Sequence, residues 1–255
     1  MFEEERLQKI AKYVQSRARA SVKELCGLFD ISESTARRDL IELENRKLLR
    51  RTHGGAVFME PVKLEPTYLE KEDRFRSEKE NIARRAAALI EDGDSLVVDA
   101  GTTTLCLAGE LARFKGLTVV TNSIYLSIRL AALPNVSVVS TGGVLRKNTM
   151  AFVGPAAETM LAGVHADKAF LATNGLDLRY GLSTPSMEEA AVKSKMMEAA
   201  EQVYVLADHS KLGRVAFARF GALSEIDACI TGAELPEQQL QEYERSNVKI
   251  LLAGK

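Results

Sequence analysis

The sequence predicts a two-part chain: a small N-terminal winged helix-turn-helix unit, then a larger α/β domain whose mainly parallel sheet carries helices on both faces. Three observations carry this expectation. The first sixty residues hold three short amphipathic segments, the second and third with serine caps, and end on a Gly-Gly turn. From residue 96 onward, seven short apolar runs alternate with helical patterns. Between these regions, residues 59–76 place Pro61 and Pro66 among charged side chains with little periodicity, which reads as a linker. The expected boundaries are therefore 1–58 for the first unit, 59–76 for the linker and 77–255 for the second domain.

Composition bounds what such a chain can be. With 255 residues, 46% hydrophobic and 27% charged, it can bury an ordinary core plus a small satellite, and disorder as the main state is excluded. No stretch approaches the roughly 18 apolar residues a membrane helix needs. The start, Met1-Phe2-Glu3-Glu4-Glu5, is acidic where a signal peptide is basic, so the expected location is the cytosol. Cys26, Cys106 and Cys229 lie far apart without a C-x-x-C pair and read as structural thiols. No metal or cofactor motif is found, and no G-x-G-x-x-G follows a strand, which argues against a Rossmann dehydrogenase. The net charge of −1 hides an asymmetry: residues 1–57 carry 12 Lys/Arg against 9 Asp/Glu, and the remainder 22 against 26. Arg46, Lys47, Arg50, Arg51 and His53 fall close together, a positive edge of the kind that attracts phosphate backbones.

Leu7, Ile10, Ala11 and Val14 recur at helical spacing and predict a first helix over about 3–16. Ser21 and Glu24 form a capping box that opens a second, short helix reaching about Phe29. Asp30-Ile31-Ser32 breaks it, and Ser32 caps a third helix through the region of Asn45. On that third helix Ala36, Leu40 and Leu43 share one side, whereas Ser34, Arg37 and Arg38 share the other. Two readings of the arginines stand at this point: a solvated face paired with Glu33, Glu42 or Glu44, or a face that meets a ligand. Residues 47–52 and 56–58 flank His53-Gly54-Gly55 and predict a β-hairpin directly behind the helix, in the position of a wing.

The run Ile31-Ser32-Glu33-Ser34-Thr35-Ala36-Arg37-Arg38-Asp39-Leu40, followed by Glu42-Leu43-Glu44, Leu48-Leu49-Arg50-Arg51 and His53-Gly54-Gly55-Ala56-Val57, closely resembles the helix-turn-helix and wing of the DeoR family of bacterial regulators. The resemblance implies DNA binding. Ser32, Ser34, Thr35, Arg37 and Arg38 fall at the start of the helix that enters the major groove, and Arg50, Arg51 and His53 on the wing and its phosphate contacts.

In the second domain, Ser77 and Glu80 read as another capping box, opening a helix that buries Ile82, Ala83, Ala86, Leu89 and Ile90 and ends at Asp92-Gly93. The apolar runs at 96–98, 117–121, 136–140, 169–172, 203–207, 228–231 and 249–252 lack internal polar alternation, as parallel strands covered on both faces do. Ligands of such sheets sit at the carboxyl ends of the strands. Those ends read Asp99-Ala100-Gly101-Thr102-Thr103-Thr104, Thr121-Asn122-Ser123, Thr141-Gly142-Gly143, Thr173-Asn174-Gly175 and Asp208-His209-Ser210-Lys211. The loop at 101–104 suits an anion, because glycine permits close approach and the following helix offers free amides; an ordinary threonine-rich cap reads the same way. Lys193 and Lys211 supply charge in the one case and are solvated in the other.

D-A-G-T-T-T, V-V-T-N-S, Gly142-Gly143, F-V-G-P at 152–155, D-K-A-F-L at 167–171, G-L-S-T-P at 181–185, E-E-A-x-x-K at 188–193 and A-D-x-S-K at 207–211 resemble, in the same order, the sensor domain of the DeoR family. That domain is related in fold to ribose-5-phosphate isomerase and glucosamine-6-phosphate deaminase. The resemblance implies a repressor of a sugar catabolic operon that responds to a phosphorylated sugar. By implication Gly101, Thr102, Thr103 and Thr104 cradle the phosphate, Asp99, Asn122, Ser123, Gly142, Gly143 and Asn174 frame the pocket, and Glu188, Lys193, Asp208 and Lys211 contact hydroxyls or phosphate. The acid run of the related isomerases is thinned here to Asn174 and Asp177, which weighs against the alternative, a working isomerase or deaminase using Glu188, Asp208, His209 and Lys211 as acid and base. The partners implied are double-stranded operator DNA, the sugar phosphate and further copies of the chain in a dimer or tetramer, with no membrane.

Overall fold

The computed structural model of the protein describes residues 3–17, 19–46, 48–52, 54–57 and 67–254. The chain divides into two units, Met1–Glu65 and Pro66–Lys255. In the first, helix α1 (Glu3–Arg17) buries Leu7, Ile10 and Val14, the residues its periodicity marks. Strand β1 (Arg19–Ser21) follows, then α2 (Val22–Phe29). The Ser21 side chain accepts from the Glu24 amide at 3.2 Å while Glu24 accepts from the Ser21 amide at 2.7 Å, so both free donors of that helix start are satisfied. Asp30 ends α2 in the left-handed region at φ 50°, and Ser32 caps α3 (Glu33–Asn45) by accepting from the Thr35 amide. Leu25, Ala36, Leu40, Leu43 and Leu49 close the core against α1.

The hairpin behind α3 pairs β2 (Arg50–Thr52) with β3 (Gly55–Val57), and β1 adds a third strand in the order β1-β3-β2. Sequence reading missed β1, which is three residues long and hidden between two helices. It also placed Gly55 in the turn, whereas Gly55 is paired within β3. A Cβ there would lie 2.1 Å from the Ala20 carbonyl oxygen, so glycine is required by close backbone approach.

In the second unit, α4 (Tyr68–Glu72) is opened by a capping box of Thr67 and Glu70 and buries Tyr68. The stretch expected to be linker is therefore helical from Tyr68 to Glu72 and part of this unit. Helix α5 (Arg76–Ala87) begins one residue before Ser77, so the Ser77 capping box does not form. Helical bonding starts instead at the Phe75 carbonyl, which accepts from the Lys79 amide, and Glu80 pairs with Arg76. Then come β4 (Ser95–Val98), α6 (Thr102–Leu107), β5 (Leu117–Thr121), α7 (Ile124–Ala131) and β6 (Val136–Ser140). A short antiparallel pair follows, β7 (Val144–Arg146) and β8 (Ala151–Val153), before α8 (Pro155–Ala162) and β9 (Ala166–Ala172). The chain continues through β10 (Gly175–Asp177), β11 (Gly181–Thr184), α9 (Met187–Glu198) and β12 (Ala200–Leu206). It ends with β13 (Ala218–Gly221), β14 (Ala228–Gly232), α10 (Glu237–Arg245) and β15 (Ile250–Ala253).

All seven apolar runs become strands of one parallel sheet in the order β15-β14-β12-β9-β4-β5-β6. Both faces of the central strands are covered, as their unbroken apolar runs require, whereas the edge strand β6 keeps Ser137, Val139 and Ser140 exposed. Leu96, Val98, Phe170 and Leu206 pack under α5, α6 and α7, while the intervening Val97, Ala169, Leu171 and Val205 pack under α8, α9 and α10. Each fully buried Leu or Val contributes about 1.5–3 kcal/mol, so the two cores hold the sheet from both sides. The chain leaves β4 toward β5 and β6 and returns on the opposite side at β9. The junction of the paired strands β4 and β9 is thus a topological switch point, where the loops after the carboxyl ends leave in opposite directions and sheets of this kind bind ligands.

Candidate functional site

In the first unit, α3 presents an exposed polar face directly before the hairpin. Ser34, Arg37 and Arg38 are exposed on it, opposite buried Ala36, Leu40 and Leu43. Ser32, beyond capping the helix, has its hydroxyl 2.9 Å from those of both Ser34 and Thr35, so three hydroxyls cluster at the helix start. Arg37 lies 3.5 Å from Glu33 in an exposed pair, the solvated arrangement, which is worth only about 0.3–0.5 kcal/mol. Arg38 has no hydrogen-bond or ion-pair partner among the described residues. The positive edge is more neutralised than the sequence suggests. Arg46 bridges Glu4 and Glu42, and Arg51 is tied to Glu44 through both its amide and its Nε, at 2.8 and 2.7 Å. Arg50 lies in β2, and His53 falls outside the described residues.

A pair that sequence reading missed fixes α3 itself. The buried Asp39 carboxylate accepts from Arg6 Nε at 2.6 Å and Nη2 at 3.1 Å, joining α1 to the inner side of α3. The only signal was an acid at an inward position of an amphipathic helix.

In the second unit, the switch point gathers several of the residues singled out from the sequence. Lys193 on α9 reaches the end of β4, where its ammonium pairs with Asp99 and donates to the Ala172 carbonyl at 2.8 Å. Asp99 in turn accepts from the Ala172 amide at 3.0 Å, so carboxylate and ammonium bridge the ends of the paired strands β4 and β9. Burial pushes the Asp99 carboxyl above its ordinary value, with Lys193 acting in the opposite direction. Gly101 belongs here by close approach: a Cβ would lie 2.6 Å from that of Ala172. The Thr104 hydroxyl donates inward to the Asp99 carbonyl at 2.7 Å, so it braces the loop and is not among the hydroxyls free to donate outward. Asn122 accepts from the Ala100 amide at 2.8 Å, and Ser123 caps α7. Gly142 and Gly143 take positive φ at 63° and 113°, and a Cβ on Gly143 would lie 2.6 Å from the Val153 carbonyl oxygen.

Glu188 and its neighbour exchange places relative to expectation. Glu188 is exposed, whereas Glu189 is buried and accepts from Thr149 at 2.6 Å, Thr184 at 2.9 Å and Arg146 at 3.1 Å. Helical phase decides this: Glu189 and Lys193, four residues apart, share the inner face of α9. Burial works against the charged form of Glu189, but Lys193, the Thr149 hydroxyl and Arg146 outweigh it and hold its carboxyl below the ordinary value. Thr184 also approaches the Asn174 side-chain oxygen at 3.3 Å, which brings Asn174 into this network. Sequence reading missed Arg146, Thr149 and Glu189; the first two lie on an irregular hairpin that carries no motif. Asp208 and Lys211 sit at the end of β12, the strand next to β9, 3.7 Å apart. No hydrogen bond or ion pair among the described residues joins them to Asp99 and Lys193.

Residues 6–62 match the DeoR-like helix-turn-helix domain, and residues 74–233 the DeoR C-terminal sensor domain. The chain is a member of the DeoR family of transcriptional regulators. It is 41% identical over 251 residues to the HTH-type transcriptional regulator GlpR of Haloferax volcanii, covering 98% of each chain. It is 36% identical over 253 residues to the HTH-type transcriptional repressor GlcR of Bacillus subtilis, covering 99% of this chain and 97% of that one. Among solved structures, ribose 5-phosphate isomerase A of Methanocaldococcus jannaschii matches 52% of this chain and 53% of its own at 17% identity and a TM-score of 0.39, a distant likeness from which no residue role is taken. The chain thus joins a DeoR-like helix-turn-helix to a DeoR-type sensor domain, and polar side chains of the latter meet at the β4/β9 switch point. No described helix is long and apolar enough to cross a membrane.

Proposed function

We propose that the protein is a cytosolic repressor that holds double-stranded operator DNA as a homo-oligomer and releases it when a phosphorylated sugar occupies the β4/β9 switch point. The observation that carries the effector reading is the Lys193–Asp99 pair, with Lys193 5% exposed, beneath a rim of Gly101, Thr102, Thr103, Asn122 and Asn174. A buried ammonium bound to Asp99 and Ala172 and 5.5 Å from the Phe220 ring, beside first-turn amides that lack intrahelical acceptors, suits a phosphate and the hydroxyls next to it. The carboxylates favour holding over turnover. Asp99 is engaged by Lys193 and Ala172, and Glu189 by three donors, so neither is placed to take a proton from carbon.

For DNA, Arg38 and the Ser32, Ser34 and Thr35 cluster read bases, Arg37 exchanges Glu33 for a base or phosphate, and Arg50, Arg51 and His53 hold the backbone. A pair of such helices, one per protomer, reads two half-sites and multiplies a small interface. The test combines a duplex selected from a random pool by the protein with a thermal-shift screen against sugar phosphates. Arg38→Ala should weaken the selected duplex by about 1–3 kcal/mol relative to a scrambled one. A sugar phosphate should raise the melting temperature of the second domain by mass action. Wild-type affinity in Arg38→Ala, Arg37→Ala and Arg51→Ala together with no shift from any sugar phosphate would overturn the reading.

A further inference from the structure

We propose that Glu78 and His209 form the positioning pair through which occupancy of the sensor rim reaches α4 and α5, the segment that continues into the chain leading to the helix-turn-helix unit. The inference rests on the effector reading above. Glu78, in the first turn of α5, is 4% exposed, and both of its oxygens are taken by one residue. The His209 amide donates to Oε1 at 2.7 Å, and His209 Nδ1 lies 2.8 Å from Oε2. A carboxylate that holds a backbone amide and the ring of the same residue fixes both position and rotation. His209 opens the short turn His209–Lys211, between Asp208 and Lys211 of the rim.

The surroundings are built around this clamp. A Cβ on Gly232, at the end of β14, would lie 2.5 Å from Glu78 Oε1, so the space the carboxylate occupies is kept open by glycine. Phe75 stands edge-on to the His209 ring at 4.7 Å with φ 55°, a left-handed conformation that a bulky residue keeps only where its surroundings impose it. Lys79, one residue beyond Glu78 and also buried, donates to the carbonyls of Lys71 and Glu72 and so ties the end of α4 to α5. The start of α4 is held as well: the Tyr68 amide donates to the Asn148 carbonyl at 2.8 Å, in the turn that presents Thr149 to Glu189. The α4–α5 segment is therefore fastened to the rim at two places.

Lys211 pairs only loosely with Asp208, at 3.7 Å, and donates to the Ser210 hydroxyl at 3.4 Å, so an anion bound at the neighbouring β9 end would compete for it. Drawing Lys211 away shifts the turn, and the two-point grip carries the shift from His209 to Glu78 and the start of α5. A ligand acts on an equilibrium only through contacts that differ between its states, and this pair supplies such a contact outside the binding residues.

The experiment uses the full chain with inorganic phosphate, glycerol 3-phosphate, glucose 6-phosphate, fructose 6-phosphate and ribose 5-phosphate as probes. Binding is followed by calorimetry, and hydrogen exchange is read over residues 67–79. In the wild type, a bound sugar-phosphate probe should change exchange in that segment and lower DNA affinity, the latter by the roughly 5–150-fold of ordinary allosteric coupling. His209→Ala should bind the same probe with about unchanged affinity, yet lose both the exchange change and the DNA response. Glu78→Gln, which fills the same space and keeps one oxygen acceptor, should fold and retain part of the response. A merely structural pair would lower the melting temperature and leave response proportional to binding. Wild-type responses in both variants at equal probe occupancy would overturn the inference alone; absence of binding by every probe to the wild type would overturn the effector reading and this inference with it.

Discussion

Replacing Arg6 with methionine tests how the DNA-facing helix is held. The Asp39 side chain is 0% exposed and that of Arg6 11%, and the guanidinium grips both carboxylate oxygens. Methionine keeps an unbranched apolar stem of similar reach but removes the cation, leaving a carboxylate enclosed between α1 and α3. Breaking one side of a buried pair in this way costs about 3–5 kcal/mol. A unit of roughly 60 residues has about 3–9 kcal/mol in total, on a scale of about 0.05–0.15 kcal/mol per residue. The loss is thus comparable with the whole stability of the unit. Urea unfolding followed by circular dichroism should show the N-terminal transition displaced to low denaturant or absent at 25 °C, with the sensor-domain transition retained and DNA binding lost. Adding Asp39→Leu to Arg6→Met removes both charges and should recover most of the loss, since well-packed apolar replacements of buried pairs are often neutral. An Arg6→Met protein within about 1 kcal/mol of the wild type, binding DNA normally, would refute the argument.

Further expectations follow from the same geometry. Lys193→Met leaves Asp99 buried without its cation and should destabilise the sensor domain by about 3–5 kcal/mol at pH 8. Because burial already raises the Asp99 carboxyl above its ordinary value, the variant should recover stability as pH falls and the carboxyl protonates, which melting curves at pH 5 and pH 8 would show. The Glu189 carboxyl is held below its ordinary value of 4.5, so its contribution is complete above that pH and fades as pH falls through the lower folded value; Glu189→Gln should flatten this acid-side slope, and Glu188→Gln should leave it unchanged. Gly55→Ala drives a methyl to 2.1 Å from the Ala20 carbonyl oxygen and should cost about 1–3 kcal/mol and splay β1 from β3, seen as lost amide protection at Ala20 and Ala56.

What was legible in the sequence was the part governed by local and periodic rules. Ser21 and Ser32 cap helices because a hydroxyl meets a nearby amide, and the central strands of the large sheet are apolar on both sides because helices cover both faces. The glycines and threonines of residues 101–104, 121–123 and 141–143 were placed at strand ends because such a sheet gathers polar turns there. What was hidden depends on contacts distant in the chain. Asp39 meets Arg6 across 33 residues, Glu189 meets Thr149 across 40, and His209 meets Glu78 across 131. Ser77 and Glu80 have the spacing of a capping box, but Phe75, held against His209, starts the helix earlier. Glu188 and Glu189 cannot be told apart by motif, because only the phase of α9 relative to the sheet decides which one faces Lys193.

The central claim is that a sugar phosphate at the β4/β9 switch point controls DNA held by the N-terminal helix-turn-helix. One titration tests it most directly: a labelled duplex selected by the protein, followed by fluorescence anisotropy as the sugar phosphate giving the largest thermal shift is added. The wild type should release the duplex and leave the sugar unchanged by NMR, whereas Lys193→Met should release none at a temperature where that variant is folded. Undiminished DNA binding by the wild type at saturating ligand, or conversion of the sugar in proportion to protein, would contradict it.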